Sequence, residues 1–454
     1  MAESQTQTTR VDKETYLERV RASGLISVER LKKALATMPE TNRGRMVARH
    51  LVEMGLLTKF QAERLLAGKT DGFVMGQYRI LDELGRGGMG RVFKAEHMTM
   101  GRVVALKILN TNLTKTERAR TLFEREVKAA AKLSHPNIVT AFDANQLGER
   151  CFLVMEFVDG PNLHDLVKEH GPLPVPQACD YIRQAALGLQ YAHDLGMVHR
   201  DIKPANLLVQ KNKTKTTTGS SIVKILDFGL ARLTAQEDGV PGNDSIMTNS
   251  QTVMGTPDFL SPEQARNLHA TDGRSDLYSL GCSFFYLLTG KPPFPGGTTM
   301  EKLVRHSTEP VASVTNLRSD VPSEVAAIVD KLLAKKPADR FQSASELAAT
   351  LQPFTGQESA NWVVVEPLPA ENVLPVSSRS LPRIAPTPGE DPWANIDDES
   401  SQVQTLSDEA ATTDVGPHRR RKRGVNKLWY ALFAFLAIAA GTGAFFAVRQ
   451  LVLK

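Results

Sequence analysis

The stretch MVHRDIKPANLLV, residues 197–209, constrains the fold more than any other part of the chain. Arg200, Asp201 and Lys203 lie within four residues, and Asn206 follows three positions later. Apolar residues stand on both sides, so the segment does not have the pattern of an ordinary solvent-exposed face. Charged groups in such surroundings must pair with one another or take part in chemistry. The segment therefore predicts a folded domain around a polar site, either a catalytic site or a mutually satisfied ion-pair network.

Length and composition exclude several classes of protein. The chain has 454 residues, 41% of them hydrophobic, which is enough for a sizeable core plus appended segments. A net charge of +5 at pH 7 gives no sign of a nucleic-acid partner. Cys151, Cys179 and Cys282 lie far apart, without the spacing of a metal site or a disulfide framework. They predict buried free thiols in a reducing compartment.

Residues 1–75 predict a helical N-terminal module with a weak internal repeat. GLISVERLKKAL begins at Gly24 and GLLTKFQAERLL begins at Gly55. Each copy places a Ser or Thr cap before a helix with apolar periodicity, and Thr58 with Gln61 fits a capping box. Two interpretations stay open from the sequence: a docking or dimerisation module, and a helical extension packed on the next domain.

The C-terminal part predicts attachment to a membrane. Residues 355–417 are rich in Pro, Ser, Asp and Glu and predict a disordered linker. The basic segment 418–427 precedes 21 residues without a charge, 428–448, which are long enough to span a bilayer. Residues 449–454 would be a short extracytoplasmic tail. By the positive-inside rule the chain is a single-pass protein of the inner cell membrane, with the preceding residues in the cytoplasm.

Small residues in the span, AAGTGA, would let two membrane helices approach closely. The lipid bilayer and a second copy of the chain are therefore expected partners, the second as a homodimer.

A glycine-rich segment, LGRGGMGRVFKAEH, begins at Leu84. Gly85, Gly87 and Gly90 form the pattern G-x-G-x-x-G, which lets a backbone approach phosphate oxygens closely. The same pattern occurs in dinucleotide-binding folds, where a helix should follow it. Here the segments RVFKAEH and RVVALKIL have strand character instead. The sequence therefore predicts a glycine loop within a β-hairpin.

Lys107 lies in VVALKIL, an almost wholly apolar strand, and an ammonium group there needs an anion. The alternative is a lysine that extends to solvent at a strand edge. Glu126 follows Phe123 by three residues and so points toward the apolar face of a predicted helix. An inward glutamate needs a cation, which predicts an ion pair between Glu126 and Lys107.

HRDIKPANLL resembles the catalytic loop of protein kinases, and DFG follows at 227–229. With the glycine loop and the strand lysine, in this order, the chain resembles bacterial serine/threonine kinases of the eukaryotic (Hanks) type over roughly 78–354. The resemblance implies an α+β, bilobal protein kinase fold at 76–354, with a small mainly β N-lobe and a larger helical C-lobe. It also implies transfer of the γ-phosphate of ATP to protein Ser/Thr hydroxyls, with Mg²⁺ or Mn²⁺.

The resemblance implies a role for each charged residue of the site. Asp201 would orient the substrate hydroxyl and accept its proton, and Lys203 would neutralise the phosphoryl group in transfer. Glu126 would hold Lys107 toward the ATP phosphates. The residues implied to bind ATP are Leu84, Gly85, Gly87, Gly88, Gly90, Val92, Ala105, Lys107, Glu156, Val158 and Leu208.

Metal binding and regulation are also implied by the resemblance. Asn206 and Asp227 carry the oxygen donors that suit Mg²⁺. Hydroxyls at Thr248, Ser250 and Thr252 are candidate phosphorylation sites in the activation loop, where an added phosphate would pair with a catalytic-loop arginine. A polar loop whose hydroxyls serve only solubility is the alternative.

The resemblance further implies two structural supports and leaves two rival functions. Glu263 should pair with Arg340, and Asp276 should anchor the catalytic loop. The rivals are a nucleotide-binding pseudokinase scaffold and an adaptor that works through the N-terminal helices. Such scaffolds usually lack the strand lysine or one of the two aspartates, whereas Lys107, Asp201 and Asp227 are all present here.

Overall fold

The structure is a computed structural model that describes residues 11–148, 150–210, 221–228, 257–266, 271–356 and 383–384. Several predicted features lie outside these residues: the membrane span 428–448, its flanking segments 418–427 and 449–454, and the hydroxyls of Thr248, Ser250 and Thr252. Across the described ranges, no helix has both the length and the apolar character needed to cross a bilayer.

The N-terminal module consists of four short helices: α1 Lys13–Ser23, α2 Val28–Ala36, α3 Gly44–Glu53 and α4 Lys59–Leu66. Side-chain caps at Asp12, Ser27 and Thr58 begin three of them, and the predicted capping box of Thr58 and Gln61 is present. The helices share one core of apolar side chains, in which Tyr16 and Leu51 are fully buried. The predicted helical module is confirmed.

The N-lobe is a sheet flanked by one helix. Its elements are β1 Val74–Met75, β2 Tyr78–Gly87, β3 Gly90–His97, β4 Val103–Leu109, α5 Glu117–Ala130, β5 Ala141–Leu147, β6 Arg150–Glu156 and β9 Arg383–Ile384. The strand order is β1-β2-β3-β4-β6-β5-β9, antiparallel except for the last pair. Strand β9 lies in the segment that was predicted to be a disordered linker, so the structure differs from that prediction at these two residues. The edge strand β5 offers unpaired backbone groups, and β9 pairs with them.

The C-lobe is mainly helical. Its elements are α6 Leu163–His170, α7 Val175–Asp194, β7 Leu207–Gln210, β8 Ile222–Ile225, α8 Pro262–Arg266, α9 Gly273–Thr289, α10 Thr299–Thr308, α11 Ser323–Leu332 and α12 Ala344–Leu351. Short 3₁₀ turns of this lobe occupy Pro204–Asn206, Pro257–Phe259, Val314–Asn316, Pro337–Asp339 and Gln352–Phe354, and one in the N-lobe occupies Thr111–Thr114. The long helices α7 and α9 contribute the largest shares of the large apolar core. The two predicted lobes are confirmed.

The N-terminal module packs directly on the N-lobe. The ring of Phe60 on α4 meets Phe93 of β3 edge to face, with centroids 6.4 Å apart. The Gln61 side chain, which is buried, donates from Nε2 to the carbonyl of Ile80 on β2 at 2.6 Å. The structure shows the helical extension packed on the next domain, and a docking or dimerisation role of the same helices stays a prediction.

All three cysteines are buried free thiols, as predicted. Burial raises the pKa of Cys151 to about 11 and that of Cys179 to about 12, because the apolar surroundings disfavour the thiolate. Neither thiol is therefore a candidate nucleophile.

Candidate active site

Backbone strain in the described residues is concentrated at the predicted site. Apart from glycine, two described residues have a left-handed backbone: Arg200 with φ 69° and Asp227 with φ 63°. Such conformations cost free energy and persist where the surrounding structure imposes them, often at functional sites. One of the two residues belongs to the HRD motif and the other to DFG.

Asp276 of α9 imposes the conformation of the catalytic loop. Its carboxylate accepts the backbone N–H groups of His199 at 2.9 Å and Arg200 at 2.8 Å. It also pairs with His193 Nε2 at 2.8 Å. Burial alone would raise the pKa of Asp276, but these donors and the nearby imidazoles hold the pKa below its usual value. The predicted anchor is confirmed.

His199 ties the catalytic loop to the strand that ends in DFG. Its Nδ1 accepts the N–H of Asp201 at 3.2 Å, while Nε2 lies 2.6 Å from the carbonyl oxygen of Leu226. This pattern assigns the proton to Nε2. The ring also meets Phe228 edge to face at 4.6 Å. His199 therefore brings Asp201 and Asp227 into one site, a role that sequence analysis did not assign.

Asp201, Lys203 and Asn206 form one hydrogen-bonded group. Lys203 Nζ donates to both carboxylate oxygens of Asp201, at 2.9 and 3.1 Å. Asn206 Nδ2 donates to the Asp201 carbonyl at 2.8 Å and to its Oδ2 at 3.0 Å. The carboxylate is nevertheless 24% exposed. A purely structural ion-pair network would account for the contacts, but the exposed side also allows approach of a substrate hydroxyl.

Lys107 forms its ion pair with Asp227, at 2.7 Å, rather than with Glu126 as predicted. The lysine is only 6% exposed, which excludes the alternative of a side chain extended to solvent. Glu126 is buried on α5, as its periodicity predicted. Which carboxylate meets the ammonium depends on how α5 is placed against β4, and the spacing of residues along the chain does not determine this.

The Lys107 ammonium also controls the ionisation of Asp227. Burial by itself would raise the pKa of this carboxyl, but the charge and hydrogen bond of Lys107 more than offset that effect. The pKa of Asp227 therefore lies below its usual value, and the group is a carboxylate at neutral pH.

The oxygen donors of the site fit a divalent cation. Asn206 Nδ2 donates a hydrogen bond to Asp201, and Asp227 Oδ2 accepts one from Lys107. The Oδ1 atoms of Asn206 and Asp227 therefore remain to coordinate a metal ion. Among the described residues there is no group of three or more His, Cys, Asp or Glu placed to hold a metal. Two protein oxygens suit Mg²⁺, which usually keeps waters and phosphate oxygens in its shell.

The glycine segment forms the predicted β-hairpin. Strands β2 and β3 pair as far as Gly87 opposite Gly90. A Cβ added at Gly85, Gly87 or Gly88 would meet no protein atom within 4 Å. The hairpin therefore presents bare backbone to open space, as close approach to phosphate requires. At Gly90 the requirement is different, since an added Cβ would lie 2.0 Å from the carbonyl oxygen of Ile108.

Gly90→Ala should destabilise the N-lobe, whereas Gly88→Ala should not. Gly90 has φ 142°, which L residues rarely adopt, and its new methyl would collide with β4. We expect a loss of about 1–3 kcal/mol in the free energy of unfolding, measured by urea denaturation. Gly88→Ala adds the same methyl two residues away in open space and is the control. Equal losses in the two variants would contradict the packing role of Gly90.

The residues expected around adenine come from both lobes. Val92, Ala105 and Met155 belong to one apolar cluster under the sheet of the N-lobe. Leu208 lies on β7 of the C-lobe. The carboxylate of Glu156 forms an ion pair with Lys224 at 3.0 Å. This agrees with a contact to the nucleotide through the backbone of Glu156 rather than through its side chain.

The model of the protein kinase domain family matches residues 78–351, more than half of the chain. The chain belongs to the protein kinase family. The probable serine/threonine-protein kinase of Corynebacterium efficiens is 39% identical over 287 residues, which cover 62% of this chain and 41% of that protein. Serine/threonine-protein kinase PknB of Mycolicibacterium smegmatis is 38% identical over 279 residues, 61% of this chain and 42% of that protein.

The chain thus spans about two-fifths of the length of these curated relatives. The crystal structure of Rad53 1–466 in complex with AMP-PNP has a TM-score of 0.50 and 26% sequence identity. That alignment covers 65% of this chain and 70% of the Rad53 chain. It agrees with a protein kinase fold.

A buried ion pair supports the C-lobe of the kinase domain. Arg340 donates to both carboxylate oxygens of Glu263, at 2.6 and 2.9 Å, and its side chain is fully buried. Burial would raise the pKa of Glu263, but the arginine holds the pKa below its usual value. The ion pair that sequence analysis predicted is confirmed.

The pKa of Glu263 makes the stability of the kinase domain pH-dependent. Its carboxylate stabilises the fold fully above the ordinary glutamate pKa of about 4.3, and this contribution is lost as pH falls through the lowered pKa. We expect a fall from about pH 7 to about pH 3.5 to reduce the urea midpoint of the wild type more than that of Glu263→Gln. Other carboxyl groups titrate in the wild type and in Glu263→Gln alike. Equal reductions of the urea midpoint in the two proteins would therefore contradict a lowered pKa at Glu263.

Sequence analysis missed Gln264, which connects residues 261–263 to the catalytic loop. Gln264 is buried and donates from Nε2 to the carbonyl of Arg200 at 2.7 Å. Its Oε1 accepts the N–H of Ser261, and the Ser261 hydroxyl accepts the N–H of Gln264. Ser261 and Gln264 thus form a capping box at α8. The S-x-x-Q spacing was visible in the sequence, but its contact with Arg200 was not.

Proposed function

We propose that the chain is an active serine/threonine protein kinase that transfers the γ-phosphate of ATP to protein hydroxyls, with Mg²⁺. One observation carries the proposal: His199 and Asp276 bring the Asp201–Lys203–Asn206 group and the Lys107–Asp227 pair into one site. The relatives named above are called serine/threonine-protein kinases, which supports the same substrate class.

Each residue of the site has its own role in the proposed reaction. Asp201 orients the substrate hydroxyl and accepts its proton as the oxygen attacks phosphorus and the bond to ADP breaks. Lys203, already hydrogen-bonded to Asp201, stabilises the negative charge on the phosphoryl oxygens. Asn206 and Asp227 would hold Mg²⁺, which neutralises phosphate charge when bound. Lys107 lies beside Asp227 and supplies a second fixed positive charge.

The test uses the full chain in detergent with labelled ATP, Mg²⁺ and a generic basic protein. We expect label on serine and threonine but not on tyrosine, and loss of transfer when Mg²⁺ is chelated. Mass spectrometry would show whether Thr248, Ser250 or Thr252 is phosphorylated, as proposed for activation-loop sites. Binding of ATP without transfer, with Mg²⁺ or Mn²⁺, would favour the scaffold function instead.

We further propose that the kinase is held at the inner membrane with its catalytic domain in the cytoplasm. The uncharged run 428–448 and the basic segment before it support this location. Deletion of residues 424–454 should move the protein from the membrane fraction to the soluble fraction. Unchanged membrane association after the deletion would contradict the tether.

A further inference from the structure

Side chains of helix α4 supply hydrogen bonds to the outer edge of β2, where another strand would otherwise pair. The two-residue strand β1 pairs only with Tyr78 and Arg79. Beyond that point, two backbone carbonyls of β2 accept hydrogen bonds from the beginning of α4. Gln61 Nε2 donates to Ile80 at 2.6 Å, and Thr58 Oγ1 donates to Leu81 at 2.5 Å.

The same two side chains also form the capping box of α4. Thr58 Oγ1 accepts the N–H of Gln61 at 3.2 Å, and Gln61 Oε1 accepts the N–H of Thr58 at 3.0 Å. Each side chain therefore begins the helix and holds the strand at once. Because the cap orients both side chains, the strand is attached to a defined point of the helix.

The point of attachment is a β-bulge. Ile80 lies opposite Ala95 and Asp82 opposite Lys94, which leaves Leu81 without a residue opposite it on β3. A second bulge falls at Leu84, the first residue of the glycine segment. Bulges bend a strand and change its direction. Helix α4 thus holds the strand three residues before the glycine loop begins.

The tip of the glycine loop has its own attachment on the other side. Asn110, which follows β4, donates from Nδ2 to the carbonyl of Gly88 at 2.9 Å and from its backbone N–H to Met89 at 3.0 Å. These contacts hold the loop where its backbone turns. On the β2 side, the loop leaves the sheet at the bulged end of the strand, where α4 makes its contacts.

We propose that the N-terminal helical module is a positioning element for nucleotide binding, with Thr58 and Gln61 as positioning residues. Through Leu81 and Ile80 they set the direction of β2 and hence the placement of the glycine loop over the phosphates. This inference rests on the proposed function in one respect, because it requires nucleotide to bind under that loop. Residues 11–75 are then part of the catalytic unit, although the family match begins at residue 78.

The internal repeat supplies a matched control. Ser27 begins α2 as Thr58 begins α4, and its hydroxyl oxygen accepts the N–H of Arg30 at 3.4 Å. In the described part of the chain, the hydrogen bonds of Ser27 stay within its own helix. Ser27→Ala and Thr58→Ala therefore each remove one cap from equivalent helices, but only the second also removes a contact with the sheet.

The experiment compares Thr58→Ala, Thr58→Ser, Gln61→Glu and Ser27→Ala in the full chain in detergent. Gln61→Glu keeps a capping-box acceptor, removes the N–H donor to Ile80 and puts a buried carboxylate oxygen against the Ile80 carbonyl, so it breaks the contact with the strand without removal of the cap. The probe is a fluorescent ATP analogue with Mg²⁺, and its dissociation constant is measured beside the thermal midpoint, KM for ATP and kcat.

We expect Thr58→Ala to raise the dissociation constant and KM for ATP by up to about fivefold, the fold-change that corresponds to one lost hydrogen bond, with a smaller change in kcat. Gln61→Glu should raise both constants at least as much, because it also places a carboxylate against a carbonyl. Thr58→Ser and Ser27→Ala should stay close to the wild type in nucleotide affinity, although Ser27→Ala lowers the thermal midpoint. An equal rise in Ser27→Ala and Thr58→Ala, or no rise in Thr58→Ala and Gln61→Glu, would overturn the inference.

The two proposals can fail separately in this experiment. A wild type that binds the analogue but transfers no phosphate would refute the proposed activity, while the comparison of dissociation constants would still decide the positioning role. A wild type that transfers phosphate, with variants of unchanged affinity, would refute the positioning role alone.

Discussion

Asp201→Asn should lower kcat for phosphate transfer by about 10²- to 10⁴-fold and leave nucleotide affinity nearly unchanged. The amide has almost the shape of the carboxylate and can still accept a hydrogen bond from Asn206 or Lys203. It cannot accept the proton of the attacking hydroxyl, and it leaves Lys203 without its carboxylate partner. The expected loss is therefore in the chemical step rather than in binding.

The measurement is kcat and KM for ATP with the labelled nucleotide, beside the dissociation constant of a fluorescent analogue. Asp71→Asn, a change of the same type at an exposed position, is the control and should retain full activity. If Asp201→Asn keeps more than about a tenth of the wild-type kcat, Asp201 is not the base, and the structural ion-pair network becomes the better account of the loop.

Arg340→Met should lower the free energy of unfolding by about 3–5 kcal/mol, because it leaves the carboxylate of Glu263 without its partner in a largely buried position. Arg340 also donates to the backbone carbonyls of Ala334, Arg274 and Lys335. Those acceptors would lose their partners as well, and buried acceptors without donors are costly. Urea denaturation of the full chain, followed by near-UV circular dichroism, measures the loss.

The chain offers a matched control in a second bidentate pair. Arg305 and Glu309 make the same two-bond contact, but Arg305 is 34% exposed and lies one helical turn from its partner. Arg305→Met should leave the free energy of unfolding nearly unchanged, since exposed ion pairs contribute little. In a double variant, Glu263→Leu added to Arg340→Met should restore part of the stability lost in Arg340→Met, because it removes the unpaired charge. Similar losses at Arg305 and Arg340 would show that burial is not the cause.

The pattern of residues predicted the parts of the site that depend on short spacing along the chain. The Asp201–Lys203–Asn206 group lies within six residues, and the glycine hairpin follows from strand character on both sides of a turn. The burial of Glu126 followed from helical periodicity on one face of α5. Local geometry decides such features, so a single segment of sequence is enough to predict them.

Contacts between distant segments were predicted less well. The Glu263–Arg340 pair and the Asp276 anchor were predicted by family resemblance, not by the residues themselves, and the structure confirms both. The partner of Lys107 was predicted wrongly, because the chain offers two carboxylates, Asp227 and Glu126, and spacing along the chain does not decide which of them meets the ammonium. The contacts of His199 with Leu226 and of Gln264 with Arg200 had no distinct sequence pattern.

By itself, the sequence determined the order of motifs and the chemistry that the charged residues offer, since residue type and short-range spacing carry that information; the two lobes were implied by the family resemblance. Only the tertiary structure decided which carboxylate pairs with Lys107 and whether the N-terminal helices stand apart or pack on β2. The physical reason is the same in both cases. A hydrogen bond between elements far apart in the chain requires a particular placement of one element on another, and the packing of the whole domain sets that placement.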